Sequence, residues 1–327
     1  MKAFGYNGIK FIEFEQNLEN PTGYDLLIEI KAIAINPIDV KVKSTITSAQ
    51  DTPKILGYDA CGVVLRIGEK VSLFKPGDEV FYAGDISRSG SNADQQLVDE
   101  RIVGFKPKSL NFGESAAIPL TAITAWESIF HRLKINSNDK GKTILLIGAA
   151  GGVGSMAIQF AKYVAGLNVI ATASRDESKA WCKKMGADMV LEHHNLDQQF
   201  KKDNIPAPDF ILCMGDTDDY FVTMTDIIKP QGSICLLANA TEKYDINILK
   251  AKSITLVWEM MFTRSMYQTQ DILKQHEILN EVSSLIDNKK IVTTITSSLS
   301  PINVQTITKA HNAIKGGSVI GKLVITN

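Results

Sequence analysis

The first third of the chain alternates apolar and polar residues over short stretches. Between Asp25 and Ile35, apolar side chains stand at positions 26, 28, 30, 33 and 35, which predicts a strand with one buried face. Turns rich in Gly, Asp and Pro separate such stretches, a pattern typical of a β-barrel or β-sandwich. Further short strands are predicted at 60–67, 80–82 and 96–103.

From Thr121 onward the pattern changes to alternating apolar strands and amphipathic helices. The stretch 143–147 (TILLI) predicts a buried strand and is followed by apolar positions at helical spacing up to Val164. This alternation predicts a parallel, doubly wound sheet. A helix is predicted at 176–185, with Asp176 as its capping residue. The remaining strands are predicted at 168–172, 189–191, 210–213, 233–237 and 253–257.

The last part of the chain, after Met261, becomes helical and then returns to strand patterns. Helices are predicted at 270–286 and 303–314. Strands are predicted at 291–295 and 321–325.

Composition narrows the class of protein. The chain has 327 residues, more than one ordinary domain holds, so two domains are expected. Its 35 Lys and Arg balance 36 Asp and Glu, so it lacks the basic surface of a nucleic-acid or membrane-surface protein. The N-terminus has no apolar signal segment, and no apolar run approaches a membrane span. The four cysteines are widely separated, as expected of reduced thiols in a cytoplasmic protein.

The most informative local feature is a glycine-rich stretch, Gly148–Gly154, between a predicted strand and a predicted helix. It is a variant of the GxGxxG fingerprint of dinucleotide sites, with Ala149 in place of the first glycine. Glycines there allow close approach of the backbone to a pyrophosphate, and the helix N-terminus offers N–H groups to the phosphates. The predicted phosphate contacts are Ala150, Gly151, Gly152, Val153 and Gly154.

The end of the second parallel strand indicates which dinucleotide binds. NAD sites usually place an acid there, about 20 residues after the glycines. Here the sequence is Ala173-Ser174-Arg175, without a carboxylate. The hydroxyl of Ser174 and the charges of Arg175 and Lys179 would favour a 2′-phosphate, whereas an acid would repel it. NADPH is therefore the predicted cofactor; the alternative is that Arg175 and Lys179 form a solvated pair on a helix face.

Taken together, the motifs of the whole chain resemble the medium-chain dehydrogenase/reductases, and within them the zinc-type alcohol dehydrogenase-like proteins close to the quinone reductases. The resemblance rests on the glycine-rich stretch and on the segments 36–39 (NPID), 57–64 (GYDACGVV), 74–80 (FKPGDEV), 119–126 (PLTAITAW), 185–188 (MGAD) and 321–325 (GKLVI).

The resemblance implies an α/β protein with two domains. A GroES-like β-barrel catalytic domain would comprise residues 1–120 and 263–327. A Rossmann-type doubly wound parallel-sheet domain, residues 121–262, would bind the cofactor. It also implies a small-molecule substrate and a homodimer.

The family's catalytic zinc ligands do not recur in this sequence. By resemblance they align with Asn36, with Tyr58 and near Leu120, and the four cysteines of the structural zinc are missing from 84–98. An amide, a phenol and an aliphatic side chain are not a zinc-ligand set. No bound metal is therefore expected, and Asp59 is expected to be a supporting structural group.

The resemblance also implies a set of site residues. Candidate hydrogen-bond donors to the substrate are Asn36, Lys41, Tyr58 and Asn92, each of which could instead serve packing or the surface. Implied cofactor contacts are Thr124 beside the nicotinamide, His193 near the adenosine phosphate, backbone groups of Leu237 and Ala238 at the carboxamide, and Lys322 at a cofactor phosphate.

Without zinc, hydride transfer to an activated acceptor is easier than oxidation of a simple alcohol. The sequence therefore predicts an NADPH-dependent, zinc-free oxidoreductase acting on a quinone or another activated carbonyl or alkene. Two alternatives remain open at this point. One is a zinc-dependent alcohol dehydrogenase, and the other is an NADPH-binding protein without turnover, either crystallin-like or redox-sensing.

Overall fold

The computed structural model describes residues 1–327, which divide by their contacts into two units. The first unit comprises Met1–Ile123 and Phe262–Asn327, and the second comprises Thr124–Met261. They are called the barrel unit and the sheet unit below. None of the helices has both the length and the apolar content that crossing a bilayer requires.

Sixteen strands form the sheets. They are β1 (Lys2–Tyr6), β2 (Phe11–Glu15), β3 (Asp25–Ala34), β4 (Lys54–Ile55), β5 (Ala60–Ile67), β6 (Glu79–Tyr82), β7 (Gln95–Asp99), β8 (Val103–Phe105), β9 (Thr143–Ile147), β10 (Asn168–Thr172), β11 (Met189–Leu191), β12 (Phe210–Cys213), β13 (Ser233–Leu236), β14 (Thr255–Trp258), β15 (Ile295–Leu299) and β16 (Lys322–Thr326).

Ten α-helices accompany them. They are α1 (Pro37–Ser44), α2 (Phe112–Ala116), α3 (Pro119–Trp126), α4 (Gly152–Gln159), α5 (Asp176–Met185), α6 (Leu196–Lys202), α7 (Thr217–Ile227), α8 (Thr263–Met266), α9 (Lys274–Asp287) and α10 (Val304–Lys315). Short π-helical segments, Glu127–Arg132 and Phe160–Val164, continue α3 and α4. The 3-10 turns are Glu100–Ile102, Ser137–Asp139 and Ile246–Lys252.

The barrel unit is built on a seven-stranded sheet in the order β15-β16-β3-β5-β6-β8, with β7 also paired to β3. A small sheet, β2-β1-β4, completes it. The apolar face of β3 packs into the core, as its alternating residues predict. Antiparallel pairing places Val324 of β16 opposite Ala34, while the amide of Ala34 donates to the carbonyl of Asp59. The register therefore brings the ends of β3, β5 and β16 together.

The sheet unit holds a six-stranded parallel sheet in the order β11-β10-β9-β12-β13-β14. Apart from Thr143, the central strands β9 and β12 consist of apolar residues, as expected where helices cover both faces of a sheet. The order reverses at β9, which is the first strand of the sheet in the chain, so β10 and β12 lie on either side of it. This is the doubly wound order of dinucleotide-binding folds, and ligands of such sheets bind at the carboxyl ends of the strands near the reversal. The predicted fold class is confirmed.

Four local predictions were wrong. The strand predicted at 96–103 is two strands, because the carboxylate of Asp99 accepts from the amide of Arg101 and starts a 3-10 turn. Strand β15 begins only at Ile295, so the strand predicted at 291–295 is wrong. The helix predicted from residue 270 begins at Lys274. Asp176 is the first helical residue of α5 and does not cap it; the capping position is Arg175, whose amide donates to Ser178.

Candidate functional site

The glycine-rich stretch forms the loop between β9 and α4. Gly148 has a φ of +79°, a conformation that favours glycine. A Cβ on Gly154 would lie 2.3 Å from the carbonyl oxygen of Ala149, so only glycine allows this approach of helix to loop. A Cβ on Gly151 would meet nothing within 4 Å, which leaves the space beside the loop open. The loop thus presents accessible backbone and a helix N-terminus, an arrangement that can hold a phosphate group.

Side chains from neighbouring elements hold this loop in place. The hydroxyl of Ser155 donates to the carbonyl of Gly151 at 2.7 Å, and the indole N–H of Trp181 donates to that hydroxyl at 2.7 Å. On the other side, the hydroxyl of Thr172 accepts from the amide of Gly148 at 3.0 Å. These bonds engage the carbonyl of Gly151 and the amide of Gly148, so side chains of the fold itself set the position of the loop.

The end of β10 carries no carboxylate, as the sequence indicates. Ser174 and Arg175 are exposed there. Lys179, one turn further along α5, forms an ion pair with Glu192 at the end of β11. The hydrogen bond from Lys179 lowers the pKa of the Glu192 carboxyl, so the charge of Lys179 already has a partner. Of the two basic residues predicted to contact a 2′-phosphate, Arg175 is the more exposed.

The other predicted cofactor contacts of the sheet unit lie near the ends of strands and helices. Thr124 is buried in α3, and its carbonyl accepts from Ser128 at 2.7 Å. The amide of Leu237 donates to Cys213, and the carbonyl of Ala238 accepts from the hydroxyl of Thr217. These two backbone groups are used within the fold, so a carboxamide would have to bind the other backbone atoms of Leu237 and Ala238.

A buried ion pair stands at the junction of β3, β5 and β16. The ammonium of Lys322 lies 2.8 Å from Oδ2 of Asp59, with side-chain exposures of 4% and 0%. The same ammonium donates to Oδ1 of Asn36 at 2.5 Å, and the amide of Asn36 donates to Asp59 at 2.8 Å. The other oxygen of Asp59 accepts from the amide of Leu120. Each charge therefore has hydrogen-bond partners, which a buried pair requires.

This arrangement argues against the predicted role of Lys322 and engages the side chain of Asn36 within the protein. Lys322 was predicted to contact a cofactor phosphate, but its buried ammonium is directed to Asp59 and Asn36, which argues against that role. Asn36 was predicted to donate to the substrate. Its amide group is already bonded to Asp59 and, at 3.5 Å, to the carbonyl of Ala34.

Two other predicted donors have no hydrogen-bond partner. The hydroxyl of Tyr58 and both amide atoms of Asn92 are buried without one, and each residue is 0% exposed. Burial raises the pKa of the Tyr58 phenol, so it stays protonated and can donate a hydrogen bond. Leaving such groups unpartnered costs about 1–3 kcal/mol each. Lys41, the fourth candidate, is exposed near the end of α1.

Sequence reasoning missed Asp39, which is fully buried in the same region. One oxygen of its carboxylate accepts from the amide of Asn36 at 2.8 Å, and the other has no hydrogen-bond partner. Burial raises the pKa of Asp39 to about 7. The signal was present as an Asn-x-x-Asp spacing at the start of α1, which is a helix-capping pattern.

A second missed cluster lies in the sheet unit. Glu127 and Glu259 are buried next to each other, and Arg132 is bonded to Glu259 at 2.7 Å. Burial, together with the charge of Glu127, raises the pKa of Glu259 to about 8. No sequence pattern predicts this cluster, because the two glutamates are separated by 132 positions and only the fold brings them together.

The barrel unit also permits a test of the zinc ligands that the family implies. At the aligned positions, the Asn36 amide is bonded to Lys322 and Asp59, Tyr58 is a protonated phenol and Leu120 offers no side-chain ligand. These residues do not fit a zinc ion, because zinc binds thiolates, imidazoles and carboxylates. In the whole chain, no group of three or more His, Cys, Asp or Glu side chains is placed to hold a metal ion.

Comparison with known proteins places both units in known families. Residues 22–127 match the alcohol dehydrogenase GroES-like domain, and residues 152–279 match the zinc-binding dehydrogenase family. A zinc-type alcohol dehydrogenase-like protein of Staphylococcus aureus is 44% identical, with 99% of each chain covered. An NADPH-dependent alkenal/one oxidoreductase of Arabidopsis thaliana is 32% identical over 73% of this chain and 63% of its own.

A solved structure agrees over the entire length. The crystal structure of a Rhizobium etli protein, assigned to the zinc-dependent alcohol dehydrogenases, is 44% identical with a TM-score of 0.94, covering 100% of this chain and 98% of its own. A GroES-like domain combined with a doubly wound parallel-sheet domain defines a class of oxidoreductases. The chain belongs to the medium-chain dehydrogenase/reductase superfamily.

Proposed function

We propose that the protein is an NADPH-dependent, zinc-free reductase of a quinone or another activated carbonyl or alkene. One observation carries the proposal. The positions that align with zinc ligands in the family hold an amide bonded to a buried lysine, a protonated phenol and a leucine. Without a Lewis acid at these positions, acceptors that take a hydride without metal assistance are favoured over simple alcohols.

The cofactor proposal is supported by the geometry around the loop. The open space at Gly151 and the close approach at Gly154 fit a dinucleotide pyrophosphate. The end of β10 carries Ser174 and Arg175 where an acid would favour NAD. The Arabidopsis relative is described as NADPH-dependent and acting on alkenals and alkenones. When bound, NADPH supplies the hydride.

The barrel unit supplies the polar groups for the acceptor. The phenol of Tyr58 is protonated and unpartnered, so it can donate a hydrogen bond to an acceptor oxygen that gains negative charge. The amide of Asn92 can do the same. Lys322 and Asp59 hold Asn36 in place, so its amide group is already bonded within the protein. Hydrogen bonds to the acceptor would remove the cost of leaving Tyr58 and Asn92 unpartnered.

The cofactor half is tested by two matched variants of α5. Arg175→Ala should weaken NADPH binding about 10–100-fold while leaving NADH binding nearly unchanged, because it removes a charge-assisted bond to the 2′-phosphate. Lys179→Ala should cost clearly less, since Lys179 is already paired with Glu192. Dissociation constants can be measured by fluorescence titration. Equal losses for the two nucleotides in Arg175→Ala would contradict the proposal.

The reductase half is tested by two tyrosines of the barrel unit. Tyr58→Phe removes an unpartnered hydroxyl, so it should not lower the melting temperature, yet it should lower kcat about 10²-fold. The control is Tyr82→Phe, because the buried hydroxyl of Tyr82 donates to Gln96 at 2.9 Å. That control should lose about 1 kcal/mol of stability and keep its activity. Unchanged kcat in Tyr58→Phe would refute a role in the reaction.

A zinc-dependent alcohol dehydrogenase is the second candidate, favoured by the descriptions of the matching family and of the Rhizobium structure. Elemental analysis of purified protein distinguishes the two. Stoichiometric zinc that is lost together with activity would establish the second candidate and refute the first.

A further inference from the structure

A single buried hydroxyl links the phosphate loop to an imidazole. Thr172, the last residue of β10, is 0% exposed. Its Oγ1 lies 3.0 Å from the amide nitrogen of Gly148 and 2.9 Å from Nδ1 of His193. Its own carbonyl accepts from the amide of Ala149 at 3.2 Å. Thr172 therefore contacts both the start of the phosphate loop and the side chain of His193, which follows β11.

The direction of the bond between Gly148 and Thr172 is determined by chemistry, and it limits the roles in the bond to His193. An amide N–H only donates, so the hydroxyl of Thr172 accepts from Gly148. Nδ1 of His193 is the one acceptor within hydrogen-bond distance of this hydroxyl, so we assign its hydrogen to Nδ1 and take Nδ1 as the unprotonated nitrogen of the ring. A neutral imidazole with an acceptor at Nδ1 carries its hydrogen on Nε2. Burial lowers the pKa of His193, and so does the neighbouring His194, in keeping with a neutral ring.

His193 lies where a ligand of the sheet unit can reach it. The half-buried ring lines a cavity of about 340 Å³, together with His194, Asp219 and Tyr220. Its Nδ1 edge is turned to Thr172, so the Nε2 edge is the one left for a ligand. The hydroxyl of Thr172 thus affects two features of a nucleotide site: the position of the Gly148 amide and the ability of His193 to donate from Nε2.

We propose that Thr172 is a positioning residue of the nucleotide site: its hydroxyl fixes the start of the phosphate loop and presents His193 as an Nε2–H donor to the bound nucleotide. The affinity half of this inference rests on the proposed nucleotide-binding function. The tautomer half does not, because it concerns the protein without ligand.

The tautomer half is tested by ¹⁵N NMR of the imidazoles in the unliganded protein, with His193→Gln used to assign the signal. In the wild type at neutral pH, His193 should show a protonated Nε2 and an unprotonated, hydrogen-bonded Nδ1. In Thr172→Val the preference should weaken, because the donor to Nδ1 is lost. A wild-type ring protonated on Nδ1, or on both nitrogens, would overturn the inference without any variant having to fold.

The affinity half is tested by NADPH titration of three variants. Thr172→Val should weaken binding about tenfold and raise the KM for NADPH without changing kcat, while Thr172→Ser should restore both. The matched control is Thr225→Val, whose hydroxyl donates to the carbonyl of Val222 in α7. It should lose stability comparably and keep its affinity. Equal affinities in wild type and Thr172→Val, or equal losses in Thr172→Val and Thr225→Val, would overturn the positioning role.

The proposed function and the tautomer of His193 can be refuted independently. If the wild type binds neither NADPH nor NADH, the proposed function fails and the affinity half of the inference falls with it. The NMR result would then decide the tautomer half alone.

Discussion

Replacing Lys322 by methionine tests how the barrel unit stabilises its buried charge. Asp59 and Lys322 lie 2.8 Å apart with almost no exposure. At an effective dielectric constant of about 20, the attraction at that distance is about 6 kcal/mol. The substitution also leaves Asp59 buried without a counter-charge. Breaking such a pair costs about 3–5 kcal/mol, which corresponds to a melting temperature roughly 6–20 °C lower for a domain of this size.

The assay is thermal unfolding followed by circular dichroism, with a surface pair as control. Lys31 lies 2.6 Å from Glu29 in the same unit, with side-chain exposures of 36% and 42%. Lys31→Met should therefore cost less than about 1 kcal/mol. The combination of Asp59→Asn with Lys322→Met should recover at least half of the loss, because no unpaired charge remains. Equal losses in the buried and surface variants would show that burial does not increase the cost of breaking the pair.

The penalty of Lys322→Met should also depend on pH. Burial raises the pKa of Asp59, and Lys322 opposes that rise. Without the lysine, the folded protein binds a proton on Asp59 at a pH where the unfolded chain has released it. Stability then falls as pH rises, so the loss should be larger at about pH 8 than at about pH 5.

Two further pH effects follow from buried groups. The pKa of Glu259 is raised to about 8, so the folded state keeps a proton that the unfolded chain releases above its ordinary pKa of 4.5, and stability should fall as pH rises through this window. Glu259→Gln should reduce the slope of stability against pH by up to about 1.4 kcal/mol per pH unit, measured by chemical denaturation. An unchanged slope in the variant would contradict this prediction. The pKa of His311 is lowered to about 4, so stability should drop as pH falls below 6.5, where only the unfolded chain gains the proton. His311→Leu should reduce this loss of stability at low pH by about 2–3 kcal/mol. An acid titration in which the variant loses as much stability as the wild type would contradict the prediction.

Much of the sheet unit could be predicted from sequence, because its strands are short apolar runs between helices. Strands β9, β10, β11 and β12 have the predicted bounds. The barrel unit was harder. Its first strand, β1, contains a glycine and pairs with β2 and the two-residue β4. The five residues of β1 are too few to show a clear alternation of apolar and polar side chains. The predicted strand at 291–295 has the right residue types but lies before the segment that pairs with β16.

The candidate site divides in the same way. The phosphate loop and the missing acid after β10 are local, and sequence alone identifies them. Partnerships across the chain are not local: Lys322 and Asn36 are 286 residues apart, and only the register of β3 and β16 joins them. The role of Thr172 depends on the side chain that faces it from the end of β11. The cytoplasmic location and the homodimer stay predictions.

Zinc-free reduction of an activated acceptor is tested by following nucleotide oxidation by absorbance, using purified protein with an ortho-quinone and with an enone. NADPH and NADH are compared, with and without a zinc chelator, and the zinc content is measured on the same preparation. We expect turnover that prefers NADPH, resists the chelator and occurs in protein lacking stoichiometric zinc. Chelator-sensitive oxidation of simple alcohols, with zinc bound at one ion per chain, would contradict it.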